Sequence, residues 1–177
     1  MLLTKFAHAC VRLEKDDFVL VIDPGSFSEP KVALKGANAI LITHEHFDHI
    51  DSEVVAEALA SNPKLQIYAP AGVAAELQTA NPAQSEQVHE VLPDSSFDAA
   101  GFSIKTYGGQ HALVNPRLMP VANIGYLVDG NLYHPGDSFT VPDGLQVETL
   151  LVPIHAPWSK TMEVVDFVTS IRPAKAF

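Results

Sequence analysis

A short apolar run that leads directly into a histidine cluster is the feature that most constrains the fold of this chain. Residues 39–43 read Ala-Ile-Leu-Ile-Thr, which is typical of a strand buried on both faces. Residues 44–49 follow at once with the sequence His-Glu-His-Phe-Asp-His. Because alternate side chains of an extended segment point to the same side, His44 and His46 are expected to face the same way. The pattern predicts a polar site at the end of a buried strand.

The cluster has the composition of a metal site. Three imidazoles and the carboxylate of Asp48 within six residues are suitable ligands for a borderline metal such as zinc. The chain contains 8 histidines, and three of them are here, which argues against a chance arrangement on a surface loop. One ion needs only three or four protein ligands, so the surplus favours two adjacent ions.

The rest of the chain alternates between strand and helix signals. Asp51 or Ser52 can cap a helix that Asn62-Pro63 ends, and Asp129-Gly130 is a hairpin turn signal. These signals predict mixed sheets covered by helices, an α+β architecture, in one domain spanning residues 1–177. The predicted strands are 2–6, 10–14, 18–22, 39–43, 65–69, 88–92, 102–107, 122–128, 131–134 and 149–154, and two further helices are predicted at 73–77 and 161–171.

The overall composition and charge limit the classes of partner and substrate that this chain can have. The chain has 11 Lys+Arg against 21 Asp+Glu, and this net charge of −10 makes a nucleic-acid partner unlikely. A cationic metal site would still accept an anionic small molecule. The single cysteine excludes an intramolecular disulfide, and no apolar segment predicts a signal peptide or a membrane span. We therefore expect a cytoplasmic protein with a small-molecule substrate and no membrane partner; a homo-oligomer is compatible with the sequence.

Two residues far along the chain are candidates for remote ligands. His111 follows a predicted strand and two glycines that allow close backbone approach. Asp137 lies in a tight turn directly after the strand that ends at His134. Either residue alone is weak evidence, because loop histidines and turn aspartates are common.

Taken in order, the His-x-His-x-Asp-His run, the glycine-preceded His111 and the Gly-Asp-Ser triplet containing Asp137 resemble the metallo-β-lactamase superfamily. Segments 6–11 and 21–25 look like the branch of ascorbate-6-phosphate lactonase-like proteins and related zinc-dependent hydrolases. The resemblance implies an αββα sandwich with a two-metal site at one edge of the sheets. It also implies these roles: His44, His46 and His111 hold the first ion, Asp48 and His49 hold the second, and Asp137 bridges them.

The chain departs from the family pattern at one place. The family adds a last histidine ligand to the second ion, after a segment that resembles residues 172–177, and here the sequence stops at Phe177. We therefore expect that the domain lacks its C-terminal end, either because the natural chain continues past this point or because this is a shortened form. Without that histidine, the second ion is expected to be weakly held or missing. His155 is a less favoured substitute. His8 and His134 are candidates for lining the cavity or for purely structural roles. Asp23 is a candidate for orienting a ligating histidine, with a plain turn role as the alternative.

The favoured interpretation is hydrolysis by a metal-bound hydroxide that Asp48 orients, acting on a lactone, ester or phosphoester of a small molecule. Zinc is the expected metal, with manganese or iron as alternatives. Two other functions remain open on the same fold. One is iron-dependent redox chemistry, and the other is a non-catalytic metal-binding module.

Overall fold

The computed structural model describes residues 1–154 and 156–177. Twelve strands and four α-helices are found in this part of the chain. A short 3₁₀ helix covers Pro82–Gln87. The helices are α1 Pro30–Ala33, α2 Ser52–Ser61, α3 Ala71–Ala80 and α4 Thr161–Ile171. The strands are β1 Leu2–Lys5, β2 Val11–Lys15, β3 Phe18–Ile22, β4 Ala39–Leu41, β5 Gln66–Ala69, β6 Val88–Glu90, β7 Ser96–Ala99, β8 Phe102–Gly108, β9 Ile124–Val128, β10 Leu132–His134, β11 Thr149–Leu150 and β12 Lys175–Ala176.

The strands form two six-stranded sheets, each mixed. The first has the order β1-β2-β3-β4-β5-β6, in which β1 to β3 are antiparallel and β3 to β6 are parallel. The second has the order β12-β11-β10-β9-β8-β7, with β7 to β10 antiparallel and β10 to β12 parallel. In both sheets an antiparallel meander therefore continues into parallel strands.

Three apolar clusters build four layers. The central one joins the inner faces of the two sheets, with Leu13 and Leu41 from the first and Phe102 from the second. Another packs the outer face of the first sheet against α1, α2 and α3. The last packs the second sheet against α4 through Phe167 and Ile171. This arrangement confirms the predicted αββα sandwich.

Most predicted elements are confirmed, with shifted ends. Asp51 accepts a hydrogen bond from the Val54 backbone N–H at 3.1 Å and so caps α2 as expected. Asp129 and Gly130 both have positive φ angles, as the predicted hairpin turn requires. The predicted strand 149–154 is wrong in length. Its ladder bonds continue only to Val152, and Pro153 then has no N–H to donate.

Several elements were not predicted. Helix α1 contains only four residues, and the sequence gives it no apolar periodicity. Strand β7 is an edge strand in which Ser96 and Asp98 are exposed, so its composition resembles a loop. The 3₁₀ helix and β12 are also additional. These short or edge elements depend on tertiary contacts more than on local preference.

Direct contacts join the two sheets next to the histidine cluster. The Ile124 N–H donates to the Thr43 carbonyl at 2.9 Å, and the buried Tyr126 hydroxyl donates to the Ile42 carbonyl at 2.9 Å. The end of β4 is thereby fixed against β9. Among the residues that the structure describes, every helix is too short or too polar to traverse a bilayer.

Candidate metal centre

The candidate centre lies where strands of both sheets end at a common edge. His44 and His46 directly follow β4, and His49 lies in the turn before α2. His111 follows β8 after a glycine pair, and Asp137 lies in the turn after β10. The structure therefore brings together residues separated by up to 93 positions in the sequence (137 − 44). His44, His49 and His111 are almost completely buried, with exposures of 0%, 1% and 4%.

The Nδ1 atoms of these three buried histidines are all engaged by hydrogen bonds. His111 Nδ1 donates to the Ala112 carbonyl at 2.6 Å. The Thr43 hydroxyl donates to Asp23 at 2.7 Å and accepts from His44 Nδ1 at 2.9 Å. His49 Nδ1 donates to the same Asp23 carboxylate at 2.7 Å. The proton positions follow from the partners, because a carbonyl and a carboxylate can only accept.

The opposite ring atoms have no such partners. The Nε2 atoms of His44, His49 and His111 are buried and make no hydrogen bond to any residue that the structure describes. A buried polar atom without a partner is costly and needs an explanation. Fixing Nδ1 and leaving Nε2 free is the arrangement that metal-ligating histidines adopt. The donor set therefore fits a metal ion.

The ligand atoms form overlapping groups in which all atoms lie within 4.8 Å of one another. One group is His44, His46 and His111, the three residues predicted to hold the first ion. Another contains Asp48 and His49, the pair predicted for the second ion, together with His8. A third contains His44, His49 and Asp137. Their assignment to two ions stays a prediction.

Asp137 approaches one histidine from each of the two predicted ligand sets. Its Oδ1 is 3.3 Å from His49 Nε2, and its Oδ2 is 3.4 Å from His111 Nε2. These are close approaches without hydrogen-bond geometry, since both Nε2 atoms remain unpartnered. The Trp158 indole N–H donates to Asp137 Oδ2 at 3.1 Å and so helps to fix the carboxylate. A carboxylate with one oxygen toward each ligand set has the geometry that a bridging ligand needs.

Burial and neighbouring charges shift the pKa values of the cluster in opposite directions. Burial lowers the pKa of His44 to about 2, and the nearby His49 charge adds to this effect. Burial alone would also lower the pKa of His49, but the carboxylates of Asp23 and Asp137 outweigh it and raise that pKa to about 10. Although burial opposes it, the contacts with His111 and His49 lower the pKa of Asp137. The pocket thus stabilises positive charge at His49.

Close backbone packing fixes the loop that bears the histidines. A Cβ on Gly25 would lie 1.8 Å from the Asp48 carbonyl oxygen, so only glycine fits there. The Ser26 N–H donates to the Phe47 carbonyl, and the Asp51 N–H donates to the Pro24 carbonyl. The segment after β3 therefore supports the segment after β4.

The remaining candidates have distinct positions. His134 has a structural role, because its Nε2 donates to the Ala9 carbonyl and its Nδ1 accepts from the Gly136 N–H. Asp23 orients His49, as the sequence suggested. The indole contact of Trp158 with Asp137 was not foreseen. His155 lies outside the described residues, so its suggested role as a substitute ligand stays a prediction.

A cavity of about 260 Å³ opens beside the candidate centre. Its polar lining includes Lys5, His8, Asp48, His49, His134 and Asp137. Its apolar lining includes Leu151, Val152, Pro153, Ile154 and Phe177. Its size lies below the usual range for drug-sized ligands, so it favours a small one.

Comparison with known proteins decides the family. A family described as "Beta-lactamase superfamily domain" matches residues 2–176. The chain belongs to this superfamily. Protein Rv0786c of Mycobacterium tuberculosis is 39% identical to it over 181 residues, which cover 99% of this chain and 82% of that protein. A UPF0173 metal-dependent hydrolase of Xanthobacter autotrophicus is 26% identical, covering 89% of this chain and 68% of that protein.

Solved structures agree with the superfamily fold. Igni18, described as a novel metallo hydrolase from the archaeon Ignicoccus hospitalis, superposes with a TM-score of 0.72 at 18% identity, covering 98% of this chain and 79% of that one. At this identity the likeness concerns the fold. The predicted superfamily is confirmed, and the prediction of a metal-dependent hydrolase is confirmed at the level of the family and its named relatives.

Proposed function

We propose that this member of the superfamily binds two divalent ions, zinc foremost, and hydrolyses a lactone, ester or phosphoester of a small molecule. One observation carries the proposal: three buried imidazoles have their Nδ1 atoms hydrogen-bonded and their Nε2 atoms free at one sheet edge. Asp137 lies between two of the free atoms. Metal ligation explains why all three buried Nε2 atoms lack a hydrogen-bond partner among the described residues.

Ions at this place would lower the pKa of water toward neutrality and polarise the oxygen of the scissile group. The side chains supply orientation and exclude solvent. Asp48 is the proposed catalytic residue, because its carboxylate is 23% exposed and lines the cavity, where it can orient the attacking water. The apolar side of the cavity would hold the organic part of the substrate.

Within this class we favour a lactone or a phosphorylated small molecule. Segments 6–11 and 21–25 support this choice through their resemblance to the ascorbate-6-phosphate lactonase-like branch. Lys5, at the cavity wall, adds a cation that suits an anionic group. The surface charge of −10 argues against polymeric nucleic acid. A cytoplasmic location and a homo-oligomeric state stay predictions.

The first prediction concerns the metal and turnover together. His46→Ala removes a predicted first-ion ligand, so we expect loss of that ion and a fall in turnover of at least about 100-fold, beyond the effect of losing an outer hydrogen-bond partner. His89→Ala is the matched control, because His89 instead hydrogen-bonds Gln66 on β5 and belongs to none of the ligand groups. Metal content is measured by elemental analysis, and turnover on a panel of lactones, esters and phosphoesters.

The same preparations distinguish the competing functions. Zinc or manganese with chelator-sensitive hydrolysis supports the proposal. Bound iron with visible absorption and no hydrolysis supports redox chemistry instead. Hydrolysis that persists after complete metal removal contradicts the metal-dependent mechanism.

A further inference from the structure

The turn between β1 and β2 brings a histidine to the candidate centre. His8 Nε2 lies 2.9 Å from Asp48 Oδ2, and the His8 ring packs edge-on against His49 with 5.4 Å between ring centroids. The ligand atoms of His8, Asp48 and His49 all lie within 4.8 Å of one another. We propose that His8 is a direct ligand of the second metal ion, together with Asp48 and His49. This inference rests on the proposed function only in requiring that the centre binds metal.

The main chain around His8 is fixed on several sides. The Phe6 N–H donates to the Cys10 carbonyl at 2.9 Å, which closes the turn. Lys5 Nζ donates to the His8 carbonyl, and His134 Nε2 donates to the Ala9 carbonyl at 2.9 Å. Contacts from β1 and β10 thus hold the two peptide groups that follow His8, and this limits the positions open to its imidazole.

The backbone of His8 is also strained. Its φ angle is +55°, in the left-handed region that residues other than glycine adopt at a cost. Such strain persists where the surroundings impose it, and it is found preferentially at functional sites. Here the left-handed turn directs the imidazole to Asp48. The turn therefore holds the His8 imidazole where it could bind the second ion.

His49 provides the second, independent observation. Its side chain is 2% exposed and its Nδ1 is held by Asp23. Its Nε2 has no hydrogen-bond partner within residues 1–154 and 156–177. The predicted second-ion set contains Asp48, His49 and the shared Asp137. Adding His8 gives each ion three ligands of its own plus the shared carboxylate, which matches the four-coordinate preference of zinc.

Aromatic side chains cover the outer side of His8. Phe27 contacts the His8 ring edge-on with 5.6 Å between centroids, and Phe47 contacts Phe27 at 5.1 Å. Phe47 belongs to the histidine loop itself. These edge-on contacts limit the rotation of the imidazole, although all three rings remain exposed at the surface.

The test combines two substitutions in the full chain. His8→Asn removes the imidazole but keeps the turn, because asparagine tolerates the left-handed conformation. We expect the wild-type protein to bind two zinc ions per chain and the variant to keep one. The dissociation constant of the second ion should rise more than about 100-fold, beyond the 10–100-fold typical of an outer-sphere partner. His89→Asn is the matched control, and circular dichroism verifies folding.

His8→Cys separates direct ligation from a hydrogen bond to Asp48. In the cobalt-loaded variant, a thiolate at position 8 that binds the ion gives an intense near-ultraviolet charge-transfer band. We expect this band in His8→Cys and not in the wild-type protein, whose buried Cys10 serves as the internal control, nor in His89→Cys.

The outcomes separate this inference from the proposed function. Two ions of unchanged affinity in His8→Asn, with no new band in His8→Cys, would overturn the role of His8 while leaving the metal centre intact. Failure of the wild-type protein to bind any ion would instead overturn the proposed function, and the role of His8 with it.

Discussion

At the scale of single residues, Asp23 supports the candidate centre without belonging to any of its ligand groups. Its carboxylate is fully buried and accepts hydrogen bonds from the Thr43 N–H at 2.8 Å, the Thr43 hydroxyl at 2.7 Å and His49 Nδ1 at 2.7 Å. The Thr43 hydroxyl in turn accepts from His44. One carboxylate therefore sets the orientation of two imidazoles.

Asp23→Asn should weaken metal binding without removing a ligand. The new amide N–H groups face the Thr43 hydroxyl and His49, which are themselves donors, so at least one pairing is lost. We expect a 10–100-fold weaker affinity, roughly as measured for outer-sphere partners elsewhere, and a loss of unfolding free energy of about 1–3 kcal/mol. Competition with a chromophoric chelator and chemical denaturation measure both quantities. Asp98→Asn, at an exposed position on β7, is the control. Unchanged affinity in Asp23→Asn would show that Asp23 does not orient the ligands.

At the scale of elements, the loop after β3 and the loop before α2 form one supporting unit. Gly25 contacts the backbone of Asp48 so closely that a methyl group would lie 1.8 Å from its carbonyl oxygen. Because the obstruction is backbone and not a flexible side chain, the loops must separate to accommodate it. The positions of Asp48 and His49 depend on this contact.

Gly25→Ala should therefore affect stability and the metal site together. We expect a loss of unfolding free energy of about 3 kcal/mol or more, the upper end for overpacking, and loss of the second ion. Gly36→Ala is the matched control: φ is +68°, but no atom lies within 4 Å of the added Cβ, so only the backbone cost of about 1–2 kcal/mol applies. Denaturant unfolding and metal analysis of both variants provide the comparison. Equal effects at the two positions would contradict the close-contact argument.

The elements also show what the sequence could and could not predict. Strand β4 and the cluster after it were predictable, because a buried strand and six contiguous residues are local features. His8 was singled out only as a cavity candidate, since its proximity to Asp48 arises from sheet order. The sequence nevertheless contained a signal for this proximity. The predicted hairpin of strands 10–14 and 18–22 already places the start of β2 beside the end of β3, as the pairing of Val11 with Ile22 shows. Strand β7 carried no comparable pattern.

At the scale of the whole molecule, metal binding and folding are coupled. The centre draws its residues from both sheets, so unfolding either sheet destroys it. An ion that binds only the folded chain adds about 2.7 kcal/mol of stability at a concentration 100 times its dissociation constant. Without the ion, the stability of the folded protein depends on pH through the protonation of its buried histidines.

The metal-free protein should be most stable near pH 6.5, the ordinary pKa of histidine. The pKa of His49 is raised to about 10, so its contribution is complete below 6.5 and is lost as the pH rises through 10. The pKa of His44 is lowered to about 2, so protonation of the unfolded chain reduces stability as the pH falls below 6.5.

An ion displaces the proton from His49, so metal affinity should rise with pH between 6.5 and about 10. Thermal melts in chelator across this range, and calorimetric titrations that count released protons, measure both effects. Asp23→Asn should flatten the alkaline decline because it removes the charge that raises the His49 pKa, whereas His89→Ala should leave it unchanged. A metal-free protein that became more stable from neutral pH toward pH 10 would show that His49 is neutral in the folded state.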